Sequence, residues 1–306
     1  MTIVFACVTD GSLKYDYQAL VWATTLVRCA EQSPEHIIVH ATGGKGQLLR
    51  RVEQLGIEVA PIEPFDPTWP RAHKIAQLDS PALHSIGADY AVLCDCDLAF
   101  CSDPSQWVGG RFRAKLVDRA RPPIEIWRRL FELEEFPEPP EESLPTNAST
   151  PTYARNVNAG VLIVSMSLLE DLKPAWAHWY RRTLRHRRLL GKHAVHVVQV
   201  SLALALRQLD ATVDHLPLAL NFPAHLPLED LPLADVDPVI LHFHHRVDAA
   251  GLLIPVGFPR VDAAIRRVNS VLEQETSPFY PGEAAGRTTL EVVWKAVKRL
   301  DMRARL

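Results

Sequence analysis

Short apolar runs alternate with amphipathic stretches along the first third of the chain. Continuous apolar runs predict strands buried on both faces at residues 3–8, 36–40 and 57–60, and a fourth strand begins at residue 88. Apolar positions with helical spacing lie between these runs, at residues 17–29, 47–55 and 74–83. This alternation predicts an α/β fold: a wound, mostly parallel sheet with helices on both faces.

The second half of the chain continues with a strand and two helices. A turn at residue 156 leads into an apolar strand that reaches residue 164, and the following pattern predicts helices at 168–190 and 196–209. A later apolar run, residues 239–245, ends in histidines, and residues 288–306 have an amphipathic helical pattern.

Residues 131–151 interrupt this regular pattern. They contain six glutamates and five prolines. Such a composition is typical of an exposed, mobile loop, because it offers little apolar surface for burial. We therefore predict a loop between the two halves of the fold.

Composition excludes several classes of protein. The chain has 306 residues, of which 47% are hydrophobic and 23% charged, as in a globular protein with a substantial core. A net charge of −3 gives no electrostatic support for a nucleic-acid partner. We find no apolar run near the roughly 20 residues that cross a bilayer, and the N-terminus lacks the basic segment of a signal peptide. An odd number of cysteines, five, argues against a disulfide framework, so we expect a cytoplasmic location.

Two carboxylates end the strand that begins at residue 88. Asp95 and Asp97 are two positions apart, so in a strand they project to one side while Cys94 and Cys96 point to the core. Carboxylates at the carboxyl end of an α/β strand can hold Mg²⁺ or Mn²⁺, which commonly bind a diphosphate. A solvated turn would show the same two residues.

With this D-x-D pair at the end of a buried strand, the chain resembles the retaining GT-A glycosyltransferases of the glycogenin and galactosyltransferase kind. The segment 158–161, Asn-Ala-Gly-Val, is similar to the N-A-G-V turn that lies beside the donor sugar in that family. Gln199 resembles the glutamine of the family's D-Q helix start, although Val198 replaces the aspartate. Asn221 is similar to an asparagine that follows the next short strand.

The segment 240–243, Ile-Leu-His-Phe, resembles the family's I-H-[FY] segment, whose histidine binds the metal. The usual G-x-x-K-P-W continuation is absent, and Arg246 could supply the positive charge instead. The resemblance covers residues 3–246, and its strength is the order of the motifs rather than any single match.

The resemblance implies a metal-dependent glycosyltransferase that moves a hexosyl group, mannose or glucose, with retention of configuration. The donor would be a nucleoside-diphosphate sugar, GDP-mannose or UDP-glucose, and the acceptor a saccharide or a small hydroxylated molecule. Asp95, Asp97 and His242 would hold Mn²⁺ or Mg²⁺, and Gln199 would be the catalytic residue near the anomeric carbon. The residues expected to bind the donor are Thr9, Asp10, Arg71, Lys74, Asp95, Cys96, Asn158, Ala159, Gly160 and Asn221.

The resemblance also divides the chain. Residues 1–130 would be the nucleotide-sugar-binding half, 131–152 the flexible acidic loop that acts as a lid or acceptor loop, and 153–250 the acceptor-side half. Residues 251–306 would form a C-terminal helical extension, whose amphipathic helix docks on its own domain or forms a homo-oligomer. The arginines between 181 and 188 are expected to form a solvated face rather than to bind an anionic acceptor or a membrane surface.

Two alternatives stay open. A phosphohydrolase of the haloacid-dehalogenase type also carries D-x-D after an apolar strand. That pair usually follows the first core strand, however, and small residues and threonine come after it, whereas residues 98–100 here are Leu-Ala-Phe. The other alternative is a non-catalytic protein that binds a sugar nucleotide or a glycan, and turnover of a donor would distinguish it from the enzyme.

Overall fold

The computed structural model describes residues 1–145, 149–226 and 236–282. The predicted amphipathic helix at 288–306 lies outside these residues. The strands are β1 (Ile3–Thr9), β2 (Ile37–Ala41), β3 (Glu58–Pro61), β4 (Tyr90–Cys94), β5 (Leu98–Phe100), β6 (Phe112–Leu116), β7 (Glu142–Ser143), β8 (Thr152–Tyr153), β9 (Val157–Ser165), β10 (Asp214–His215) and β11 (Ile240–His242). The α-helices are α1 (Leu13–Arg28), α2 (Gln47–Gln54), α3 (His73–Ala76), α4 (Pro81–Ser85), α5 (Ile124–Leu133), α6 (Met166–Arg185), α7 (Arg187–Leu190), α8 (Val197–Gln208) and α9 (Pro259–Glu275).

Within the described residues, seven strands form one twisted sheet in the order β10-β6-β9-β4-β1-β2-β3. Strand β9 runs antiparallel to β4 and β6, and the remaining pairs are parallel. The predicted mostly parallel α/β sheet is therefore confirmed. A separate two-stranded sheet pairs β5 with β11 in antiparallel register, and Leu98 lies opposite His242.

The sheet separates two apolar cores. Alternate side chains of β1 enter different cores, so Val4 packs on one face and Phe5 on the other. Helices α1 and α9 contribute to the core that contains Phe5, while α6 and α8 contribute to the core that contains Val4. Burial on both faces explains why the strands have continuous apolar sequences.

The helix predicted at residues 74–83 is broken into shorter pieces. Ser80 has an extended backbone (φ −61°, ψ 125°), and Pro81 begins α4. A proline disfavours helical conformation in the residue before it, which explains the break.

The described part of residues 131–152 is more regular than the predicted exposed loop. Helix α5 extends to Leu133, β7 and β8 pair with each other, and Phe136 stacks on Trp179 of α6. The side chain of Glu134 is only 2% exposed and pairs with Arg182 and His186. The acidic composition predicted an exposed loop. Composition does not show that one of these glutamates, Glu134, has two basic partners in the fold.

One stretch, Arg187–Gln208, is long and apolar enough in composition for a membrane crossing. The expectation that no stretch approaches this limit is therefore wrong. In the structure the stretch comprises α7, a 3-10 segment at Gly191–His196, and α8. The apolar side chains of α8 are buried in the core that α6 also lines, which accounts for the composition of this stretch.

Candidate active site

A cavity of about 1320 Å³ opens at the edge of the sheet where β1, β4 and β6 end and β9 begins. This is the edge at which open α/β sheets bind ligands. All but three of the predicted site residues line the cavity. Those that line it are Asp10, Arg71, Lys74, Asp95, Cys96, Asp97, Asn158, Ala159, Gln199 and His242.

The other three predicted residues, Thr9, Asn221 and Gly160, do not line the cavity. The Thr9 hydroxyl is buried and donates a hydrogen bond to Oδ1 of Asp16, at 2.7 Å. The Asn221 side chain is also buried, and its Oδ1 lies 3.0 Å from Nδ1 of His242. Asn221 therefore supports a residue of the site, His242, whereas Thr9 bonds Asp16, which does not line the cavity.

Asp97 and His242 meet at the junction between the main sheet and the small β5-β11 sheet. Oδ1 of Asp97 lies 3.2 Å from Nε2 of His242. The distance suits an ion pair, but neither atom has a hydrogen-bond partner with suitable angles among the described residues, and both are buried. Because Asn221 accepts from Nδ1–H, the lone pair on Nε2 of the neutral ring faces the carboxylate. Two buried donor atoms directed at one point are what a metal ion requires.

The charges of this pair reinforce each other. Burial alone would lower the pKa of His242, but the carboxylate of Asp97 raises it above its usual value. Burial alone would raise the pKa of Asp97, but the charge of His242 lowers it well below its usual range. The pair therefore attracts a proton to His242, and a bound cation would replace that proton.

A second histidine completes a metal-type cluster at this point. Asp97, His242 and His244 each offer a ligand atom within 4.8 Å of the others. The ring centroids of His242 and His244 are 4.4 Å apart, and His225 stacks on His244 at 3.7 Å. The histidines at 242 and 244 were visible in the sequence, but only their i, i+2 spacing at a strand end could have predicted that both face the carboxylate.

Asp95 lies outside that cluster. Its Oδ1 is 2.5 Å from Nζ of Lys74, and Lys74 also donates to the carbonyl oxygen of Ala159 at 3.0 Å. The backbone N–H of Asp95 donates to the carbonyl of Gly160 at 2.9 Å. The structure therefore connects Asp95 to the 158–161 segment and places Lys74 between the two.

Gly160 is required for the position of His242. A Cβ at residue 160 would lie 2.8 Å from Cε1 of His242 and 3.1 Å from Oδ1 of Asn158. Real Cβ atoms do not approach ring atoms this closely, so any larger residue would displace the imidazole. The missing side chain at Gly160 therefore leaves the room that the imidazole of His242 occupies.

A buried ion pair that sequence reasoning missed also borders the cavity. Nζ of Lys115 is 2.5 Å from Oδ1 of Asp118, which lines the cavity, and the lysine side chain is only 1% exposed. Asn158 donates from Nδ2 to Oδ2 of Asp118 at 3.3 Å. Lys115 belongs to a strand that otherwise enters the core, and nothing in its local sequence pattern predicts a charge there.

The wall that carries Gln199 is basic. Arg71 and Arg121 line the cavity there, and Nη1 of Arg71 donates to the carbonyl of Val195 at 3.2 Å. Burial, and then the charges of Arg71 and Arg121, lower the pKa of His196 to about 4. The cavity thus combines the metal-type cluster with a cationic wall.

No family model and no curated protein matches the chain. Solved structures do match. Galactosyltransferase LgtC in complex with donor and acceptor sugar analogs aligns with a TM-score of 0.51 at 13% identity, covering 88% of this chain and 96% of that one. An active-site mutant of LgtC, with glutamine changed to glutamate, aligns with a TM-score of 0.50 at 14% identity over 89% and 95%.

The bifunctional glycosyltransferase WbbM, in its apo form, aligns with a TM-score of 0.48 at 12% identity over 96% of this chain. The chain spans about half of that protein, 51% of its length. The two LgtC structures and the central sheet define the class: this chain has the GT-A fold of glycosyltransferases. The phosphohydrolase alternative finds no support among these neighbours.

Proposed function

We propose that the protein is a metal-dependent glycosyltransferase that moves a hexosyl group from a nucleoside-diphosphate sugar to a saccharide or another hydroxylated acceptor. The observation that carries the proposal is the meeting of Asp97 and His242 at the ligand-binding edge of a GT-A fold, where Oδ1 and Nε2 are buried 3.2 Å apart and neither makes a well-formed hydrogen bond to any other described residue. The matching LgtC structure contains donor and acceptor sugar analogs, and a cavity of about 1320 Å³ has room for both.

The residues around the cavity fit the parts of such a reaction. A divalent ion, Mn²⁺ or Mg²⁺, held by Asp97 and His242 would act as a Lewis acid and neutralise the charge on the departing diphosphate. Lys74 and Arg71 also line the cavity and would offer positive charge to phosphate oxygens. Asp10 lies at the end of β1, where its carboxylate can accept an N–H of the nucleotide base.

We assign to Gln199 a position beside the anomeric carbon, with retention through front-side attack by the acceptor. Gln199 lies in the first turn of α8 and lines the cavity, and its amide can orient sugar or acceptor hydroxyls. Asp118 also lines the cavity, but its two oxygens are engaged by Lys115 and Asn158, which leaves it poorly placed as a nucleophile. GDP-mannose and UDP-glucose are the donors we would test first.

The assignment of Gln199 predicts separate effects on binding and chemistry. Gln199→Ala should slow turnover at least about tenfold and leave the donor Kd nearly unchanged, because the amide would act mainly in the transition state. Gln54→Ala, on the exposed face of α2, is the matched control. Turnover by Gln199→Ala at the wild-type rate would remove this residue from the mechanism.

Thermal stability in the presence of nucleotides tests the donor site. We would measure the midpoint of unfolding with UDP, GDP and ADP, each with and without Mn²⁺ or Mg²⁺, since a ligand that binds the native state raises it. We expect a metal-dependent rise for one nucleotide, and its loss in Asp97→Ala. A midpoint that no nucleotide changes, at concentrations far above micromolar, would contradict the proposal.

A further inference from the structure

The proposed cation site needs a third protein ligand besides Asp97 and His242. The motif D-x-D would assign it to Asp95, yet Asp95 is paired with Lys74 at 2.5 Å and lies outside the group of converging donor atoms. His244 lies inside that group: its donor atom, one of Asp97 and one of His242 all lie within 4.8 Å of one another.

The backbone of His244 has an unusual conformation that neighbouring residues stabilise. Its φ is +53°, in the left-handed region that few residues other than glycine adopt. The side-chain amide of Gln18 donates to the His244 carbonyl, and the ring of His225 stacks on the His244 ring with an interplanar angle of 15°. An unfavourable backbone conformation that neighbouring groups hold in place is typical of functional sites.

We propose that His244, rather than Asp95, completes the cation site, so that one carboxylate and two imidazoles hold the ion. This inference deepens the proposed function and rests on it only in assuming that the site holds a divalent cation. Imidazole suits Mn²⁺, Co²⁺ and Zn²⁺, whereas Mg²⁺ prefers oxygen ligands and retains much of its water. The site should therefore select transition-metal ions over Mg²⁺.

This assignment gives Asp95 and Lys74 a different role. Their ion pair lies on the cavity wall beside the 158–161 segment, where Lys74 also contacts the carbonyl of Ala159. Because the Asp95 carboxylate is engaged by a lysine, Asp97 is the only carboxylate in the ligand set, whose negative charge is therefore smaller. This change weakens the binding of hard cations such as Mg²⁺ more than the binding of ions that prefer nitrogen ligands.

Cobalt binding tests the ligand set directly, without any sugar donor. Co²⁺ would be titrated into tag-free full-length protein, alone and with UDP or GDP, and followed by its visible absorption, which reports nitrogen ligands. His244→Asn tolerates the left-handed backbone and removes the imidazole. We expect it to weaken Co²⁺ binding at least about tenfold and to change the spectrum, a loss in the range known for residues that hold or orient metal ligands.

Two variants serve as comparisons. His245→Asn removes the exposed neighbouring histidine, which is not in the converging group, and should bind Co²⁺ like the wild type. Asp95→Asn should also bind Co²⁺ within a small factor of the wild type. Competition with Mg²⁺ and Mn²⁺ should show a clear preference for Mn²⁺, and this preference should shrink in His244→Asn.

Several results would overturn the inference. These are a large loss of Co²⁺ affinity in Asp95→Asn with none in His244→Asn, equal affinity of the wild type for Mg²⁺ and Mn²⁺, or no Co²⁺ binding either alone or with a nucleotide. Nucleotide release from sugar donors is measured separately, so the proposed function can stand when the ligand assignment fails.

Discussion

Gly160 of β9 packs against the ring of His242, which leaves no room for a Cβ at residue 160. We predict that Gly160→Ala lowers cation affinity and turnover together, because the new Cβ would displace the imidazole. The strain should also cost about 1–3 kcal/mol of unfolding free energy, as overpacking does in other cores. Gly109→Ala is the control, since a Cβ there meets nothing within 4 Å. A Gly160→Ala variant with wild-type cation affinity would contradict this account of the site.

Asp16 predicts a pH dependence of stability that is separate from the proposed cation site. Burial, partly offset by the Thr9 hydrogen bond, raises the pKa of Asp16 from 3.8 to about 6. The native state therefore binds the proton more tightly than the unfolded chain does. Stability from this group is complete below the unfolded pKa and falls as pH rises through 6.

Asp16→Asn should remove this pH-dependent loss and retain an acceptor for Thr9. At 1.36 kcal/mol per pKa unit, the variant should be more stable than the wild type by about 2–3 kcal/mol above pH 7, with the gain shrinking toward pH 4. Urea unfolding of the variant and the wild type at several pH values measures this difference in unfolding free energy. A gain that is independent of pH, or a loss at pH 7, would show that burial does not raise the pKa of Asp16.

Single residues show where sequence reasoning stops at this scale. Asp97 was predicted because it follows an apolar run that marks a buried strand, and His242 because its segment resembles the I-H-[FY] segment; the structure brings the two together. Thr9 and Asn221 were predicted to bind the donor; in the structure their buried side chains contact Asp16 and His242, contacts that position along the chain does not reveal. His244 needed a left-handed backbone, which a sequence pattern does not reveal.

At the scale of elements, the pairing of β5 with β11 positions the site. This antiparallel pair places His242 opposite Leu98, the residue after Asp97, and the N–H of Phe243 donates to the Asp97 carbonyl at 3.1 Å. The sequence predicted the strand at 239–245 but not β5, since three residues after a D-x-D motif carry no periodic signal. The pairing that brings Asp97 and His242 together was therefore visible only in the structure.

Glu134 predicts how firmly the end of α5 is attached to α6. Its carboxylate is 2% exposed and contacts Arg182 and His186, so Glu134→Ala removes two charged hydrogen bonds in a buried place. We expect a loss of about 2–3 kcal/mol in unfolding free energy. Glu132→Ala, which breaks an exposed pair with Arg129, should cost less than about 1 kcal/mol. Equal losses in the two variants would mean that Glu134 is solvated.

The elements that the sequence placed well are those that the core defines. β1, β2 and α8 follow from continuous apolar runs or from helical spacing, because burial selects the side chains of every residue in them. The prediction for residues 131–152 was wrong because two of them contact α6. Phe136 stacks on Trp179, 43 positions away along the chain, and Glu134 pairs with Arg182, 48 positions away. Contacts at that separation leave no local pattern.

At the scale of the whole molecule, the fold brings chemistry from distant parts of the chain to one edge of the sheet. The ends of β1, β4 and β6, the start of β9, the first turn of α8 and the residues after β11 all face the same cavity. The mostly parallel sheet explains this, because parallel strands end together. The fold class was therefore predictable from the alternation of strands and helices, whereas the cationic wall around Arg71 and Arg121 required the structure.

Release of nucleoside diphosphate from a sugar donor tests the central claim most directly. The protein would be incubated with UDP-glucose and GDP-mannose, with Mn²⁺ or with a chelator, and with simple saccharides as acceptors. We predict release of UDP or GDP from one donor that requires the cation, is lost in Asp97→Asn and persists in Asp171→Asn, a change on the exposed face of α6. Release that persists in Asp97→Asn, or no release from any nucleotide sugar by folded protein, would contradict the account.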